Sequence, residues 1–168
     1  DNNGNDIKNI INWNKDGESL FLVNAPFEGL NTNLTDYSGN FQLNISGGSN
    51  DVFLPYWNST GGYDGYGAYE MNKSLASGIL IPGLLDNVTN FTVSMWFKVY
   101  PGYDSSNTKH NILFEKYNND SSDRLFCRLQ ATSGYLYCYA ESNNGSQYGL
   151  VSSTTEWVDN QWYYLVFR

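Results

Sequence analysis

The segment Phe91 to Tyr100, Phe-Thr-Val-Ser-Met-Trp-Phe-Lys-Val-Tyr, constrains this chain most. In an extended backbone successive side chains point to opposite sides, so Phe91, Val93, Met95, Phe97 and Val99 share one face, and Thr92, Ser94, Trp96 and Lys98 share the other. That pattern predicts a long strand with one dry face. No other stretch offers an apolar face of this length, so the segment is read as a central strand around which a β core forms.

Composition points the same way. Asn supplies about one residue in seven and there are 16 Gly, a mixture that favours turns and strand ends over long helices. Charged residues make up 15% and aromatics 17%, so polarity is carried by amides and hydroxyls. A chain of 168 residues has the size of one domain. The expectation is an all-β fold. A net charge of -8 argues against nucleic acid or an anionic membrane as partner, and no apolar run is long enough to span a bilayer.

The compartment is indicated by Asn-x-Ser/Thr triplets. They begin at Asn33, Asn44, Asn58, Asn72, Asn87, Asn90, Asn119 and Asn144, roughly twice the about four that composition alone would give. Asn44 lies on the polar side of the alternating run Phe41, Leu43, Ile45, and most of the others fall in predicted turns, outward positions of the kind a glycan requires. An Asn- and Ser-rich turn composition also generates such triplets by itself.

Taken in order, residues 1 to 18 are polar with a turn at Asn14 to Gly17, Ser19 to Phe27 reads as a first strand, and Phe41 to Ser46 as a second. Between Asn50 and Gly67, closely spaced glycines let backbone pass under aromatic rings. Tyr69 to Asn72, Gly78 to Ile81 and Asn111 to Tyr117 are further strands. Arg124 to Gln130 and Tyr135 to Ser142 flank Ala131-Thr132-Ser133-Gly134 as a hairpin. With that loop Gln130 faces Tyr135 as a hydrogen-bonded pair, and counting back sets Cys127 opposite Cys138 in a non-hydrogen-bonded pair, close enough for a disulfide. The alternative is two buried thiols packed as small apolar residues. Trp162 to Phe167 alternates apolar residues on both sides and is read as a strand buried on both faces.

Ala25 to Gly29, Asp36 to Asn40, Trp57 to Met71, Phe91 to Lys98 and Trp157 to Arg168, in this order and spacing, resemble the LamG-like jelly-roll domains of the concanavalin A-like lectin/glucanase superfamily. The resemblance covers roughly residues 19 to 168. It implies an antiparallel β-sandwich with further strands after Arg168, so that the sandwich is incomplete at the C-terminus here, and it makes residues 1 to 18 a linker or the end of a preceding β domain.

Superfamily members that cleave β-glucans carry Glu-x-Asp-x-x-Glu on one strand, which holds two carboxylates about 5 Å apart. Glu28, Glu70, Glu115, Glu141 and Glu156 are scattered instead, and no nucleophile motif is present, so no enzyme activity is expected. Laminin-type relatives hold calcium at the sandwich rim, which makes Asp36, Asn40, Asp51 and Asp64 candidate ligands, although solvated turn residues bonding their own backbone would look the same. No other cofactor is expected. Trp96 with the alternating Tyr135, Tyr137 and Tyr139 offers flat rings on strands, a platform for a sugar's apolar face unless loops or glycans cover it. Two roles follow. One is a glycosylated structural or adhesive segment of an extracellular surface layer or fibre, assembled through contacts with neighbouring domains or copies; the other is a lectin-like module that binds external glycans.

Overall fold

A computed structural model describes residues 14–19, 21, 23–25, 34–47, 54–65, 67–71, 77–81, 84, 90–100, 109–117, 124–141 and 146–168. Their regular structure is entirely β, and every strand pair is antiparallel. The chain divides into two compact units, Asp1–Leu84 and Leu85–Arg168.

In the first unit β1 (Asn14–Lys15) and β2 (Glu18–Ser19) form a hairpin. Asp16 and Gly17, both at positive φ, make its two-residue turn, the geometry that an Asp-Gly pair adopts most readily. The hairpin spans the 18/19 position at which the sequence suggests a boundary. Among the described residues of the strand read over Ser19 to Phe27, Ser19 lies in a strand and Phe21, Val23, Asn24 and Ala25 do not. The reason is visible at Asn24, whose N–H donates to the Asp36 carboxylate at 2.8 Å and whose carbonyl accepts from Tyr37 N–H at 2.8 Å. Its backbone is committed to the Asp36 loop.

β3 (Asn44–Gly47) pairs with β6 (Ser77–Leu80), and β4 (Tyr56–Asn58) with β5 (Ala68–Glu70). The glycine-under-ring expectation holds at Gly67. Its φ of 133° lies where other residues are strained, and a Cβ there would meet the Trp57 ring at 3.1 Å. The ring so packed is Trp57, whereas Tyr63 of the same Gly-rich run stays 60% exposed.

The second unit holds β7 (Val93–Lys98), β8 (Asn111–Tyr117), β9 (Arg124–Leu129), β10 (Leu136–Glu141), β11 (Gln147–Val151) and β12 (Trp162–Phe167). One sheet has the order β11-β10-β9-β8, and a second pairs β12 with β7. The dry face of β7 behaves as its alternation requires, with Phe97 and Val99 buried and Trp96 exposed. Phe97, Val99 and Leu165 from the β7/β12 pair meet Cys127, Leu129 and Cys138 from the four-stranded sheet in one apolar cluster. Two sheets therefore face each other across a core.

The hairpin register is as the four-residue loop dictates. Gln130 N–H donates to Tyr135 O at 2.7 Å, Cys127 stands opposite Cys138, and the two are joined in a disulfide with Cα atoms 4.1 Å apart. Two expectations change. Among the described residues β7 has a single neighbour, β12, and is not flanked on both sides. β12 is dry on one face only, since Tyr164 and Val166 point away from the core and are exposed.

Candidate functional site

Because β7 and β12 run antiparallel with Trp96 opposite Tyr164, residues of the same parity stack into a ladder on the outer face: Ser94 with Val166, Trp96 with Tyr164, Lys98 with Trp162. Trp96 is 43% exposed and Tyr164 55% exposed, with ring centroids 4.9 Å apart and planes tilted by 40°. Lys98 continues the ladder, its Nζ 5.2 Å from the Trp162 ring centroid and 5.5 Å from that of Tyr100. Its ammonium has no carboxylate partner among the described residues. The arrangement is a strip of aromatic surface with one cation at an end.

The three tyrosines grouped with Trp96 by sequence lie elsewhere. Tyr135, Tyr137 and Tyr139 project from the outer face of the four-stranded sheet, on the far side of the core from Trp96. There Phe126 stacks on Tyr139 at 5.2 Å and meets Tyr137 edge-on at 5.7 Å, and the Arg128 guanidinium lies 4.5 Å over Phe126. Tyr139 O–H donates to Glu141 at 3.0 Å; burial and that carboxylate push its phenol above the ordinary value. Phe126 is buried by this arrangement although it faces away from the core. The tyrosine stripe is thus half consumed in its own packing.

Among the described residues no group of three or more His, Cys, Asp or Glu side chains stands together. Asp36 is 8% exposed and its carboxylate is already satisfied. Oδ1 accepts from Asn24 N–H at 2.8 Å and Ser38 N–H at 2.9 Å, Oδ2 accepts from Asn40 N–H at 3.2 Å and Phe41 N–H at 3.0 Å, and the Ser38 hydroxyl donates as well. Burial by itself would raise this carboxyl, but the Asn24, Ser38 and Phe41 donors outweigh it and hold it below its ordinary value. Asn40 uses its side-chain amide on Phe21 O at 3.3 Å. Asp64 is exposed, and Asp51 lies outside the described residues.

Among the glycosylation triplets, Asn44 at the start of β3 and Asn90 ahead of β7 are exposed. Asn58 is half-buried and engaged: its Nδ2 donates to Glu70 at 2.8 Å, and its Oδ1 accepts from the N–H groups of Thr60 and Gly61 at 3.1 and 3.0 Å. Asn33, Asn72, Asn87, Asn119 and Asn144 lie outside the described residues. Glu70 accepts from Asn58, Glu115 is paired with Arg124, and Glu141 accepts from Tyr139.

Sequence reasoning reached Trp96 but missed Tyr164, Trp162 and Lys98. The signal was present in the alternation of β12, and only the pairing register shows that its second apolar stripe lies on the Trp96 side. No protein-family model matches the chain, and comparison with curated proteins and with solved structures returns no match.

Proposed function

We propose that this chain is a non-catalytic, extracellular, glycosylated LamG-like module of jelly-roll type whose outer β7/β12 face binds saccharide. The observation that carries the reading is the Trp96–Tyr164 pair, two adjacent rings 43% and 55% exposed on the outer face of their strands. Stacking a pyranose ring's C–H face on such rings removes apolar area from both partners, and neighbouring hydroxyls remain free for solvent. Lys98 sits beside this surface without an acidic partner among the described residues, so its ammonium favours a saccharide carboxylate or sulfate at short range, while the net charge of -8 opposes acidic polymers at long range and is screened by salt. The disulfide supports an oxidising, extracellular setting, and exposed Asn44 and Asn90 are accessible to glycan.

Affinity electrophoresis through gels containing alginate, hyaluronan, chondroitin sulfate, laminarin or xylan tests this. Retardation by an acidic polysaccharide that is lost in W96A and in Y164A, weakened in K98Q and kept in Y137F is the expected result. Free migration in every gel, or retardation indifferent to Trp96 and Tyr164, would contradict it. The structural role, in which the module builds a surface layer through contacts with other domains or copies, has its own support in the open edge of the four-stranded sheet.

A further inference from the structure

The two edges of the four-stranded sheet are built differently. β8 carries Glu115 and Lys116 and a register shift between Ile112 and Phe114, which are devices that discourage an edge from pairing with another strand. β11, Gln147-Tyr148-Gly149-Leu150-Val151, has no charge, no proline and no bulge, and all five residues are exposed. Tyr148 is 71% and Leu150 67% exposed although both point to the core side of the sheet, over an open notch of about 660 Å³ that Phe91 and Phe167 also line.

The hydrogen-bond parity of β11 follows from the loop that succeeds it. Ser152 N–H donates to Leu136 O at 2.9 Å, and Leu150 and Tyr148 pair with Cys138 and Ala140. In an antiparallel ladder alternate residues bond to the same neighbour, so Tyr148 and Leu150 bond inward to β10, and the N–H and C=O groups of Gln147, Gly149 and Val151 point outward. They meet no strand among the described residues.

We infer that β11 pairs antiparallel with β11 of a second copy about a two-fold axis at Gly149. This register sets Gly149 against Gly149 and Gln147 against Val151 of the other copy, so that every outward group finds a partner, about six hydrogen bonds in all. Sliding the strands by two residues leaves about four. Tyr148 then stands opposite Leu150 of the other copy on the core side, an aromatic–aliphatic pair on each side of the axis, and no charged side chain faces another. Gly149 also suits the axis, because the Tyr137 ring occupies the space above it: a Cβ there would lie 3.1 Å from that ring. The contact joins two four-stranded sheets into one. It uses a different surface from the saccharide face and stands independently of that reading.

The net charge of -8 on each copy opposes association, so pairing tightens as salt screens it. Sedimentation equilibrium of the oxidised chain from low to high micromolar concentration, at low and high salt, tests the inference. Leu150→Lys places a charge on the edge, and Val151→Pro deletes an N–H that points away from β10. The expected result is a monomer–dimer equilibrium, stronger at high salt, whose dissociation constant rises at least about tenfold in either variant and is unmoved in Trp96→Ala. Far-UV circular dichroism and an intact disulfide show that each variant is folded. A chain that stays monomeric throughout overturns the inference. So does a dimer that survives both edge variants, or one that Trp96→Ala dissolves while Leu150→Lys does not, which would move the contact to the β7/β12 face.

Discussion

Trp96 on β7 and Tyr164 on β12 are direct cross-strand partners with ring centroids 4.9 Å apart, and both rings face away from the core that their own strands build. Such a pair adds about 0.5–1.5 kcal/mol beyond the area it covers, so it stiffens the ribbon. The second apolar stripe of β12 thereby lies on the outer face, with Tyr164 and Val166 exposed.

The Cys127–Cys138 disulfide closes a short loop, with a sequence separation of 11, at the centre of the core cluster. The chain-entropy account gives about 3 kcal/mol for a loop of that size. Denaturant unfolding of the C127A/C138A double variant, or of the reduced protein, is expected to show a loss of that order, and an unchanged midpoint would contradict the role assigned to the bridge.

Asp36 makes a second, electrostatic prediction. Its folded pKa is lowered, so folding favours the ionised form. The stabilisation is fully present above the ordinary carboxylate value near 3.8 and is lost as pH falls through the lower folded value. Asp36→Asn replaces one acceptor oxygen with an amide that faces N–H donors and is expected to cost about 2 kcal/mol or more. Amide exchange at Asn24, Ser38, Asn40 and Phe41 should accelerate in that variant at neutral pH; unchanged exchange would contradict the assignment.

Gly134 closes the disulfide hairpin at φ 73°, its carbonyl accepts from Trp157 Nε1 at 2.7 Å, and a Cβ there would lie 2.5 Å from Thr155 O. Gly134→Ala adds both backbone strain and a clash with backbone that has no flexible end to yield. A loss of about 1–3 kcal/mol in thermal or denaturant unfolding is expected, together with a changed Trp157 environment in near-UV circular dichroism. Wild-type stability in this variant would contradict the packing described.

The described glycosylation triplets separate by environment. Glycopeptide mass spectrometry of secreted material is expected to find exposed Asn44 occupied, and Asn58, whose amide is bonded to Glu70, occupied less. Full occupancy at Asn58 with Asn44 bare would reverse this account.

What could be read from sequence depended on how local the determinant was. A four-residue loop fixes the register of its own hairpin, so the facing of Cys127 and Cys138 followed from counting. The dry face of β7 followed from alternation alone. β12 alternates two apolar stripes, and only its pairing with β7 decides which of them meets the core. Trp96 and the Tyr135, Tyr137, Tyr139 stripe look alike in sequence yet occupy opposite outer faces, because assignment to a sheet is a tertiary property. Asp36 read as a metal-ligand candidate since a loop carboxylate shows no sign, in one dimension, of the backbone amides that fold around it. β11 gave no warning as an edge, for exposure of a Tyr-Gly-Leu run appears only once its neighbours are placed.

The claim that the β7/β12 face binds saccharide is tested most directly by indole N–H signals in a titration with alginate or hyaluronan oligosaccharides. Trp96 lies on the proposed face, and Trp157, whose Nε1 is bonded to Gly134 O, serves as an internal control. The account predicts saturable shifts at Trp96, smaller ones at Trp162 beside Lys98, and none at Trp157. Shifts confined to Trp157, or no shift at Trp96 with any of these oligosaccharides, would contradict it.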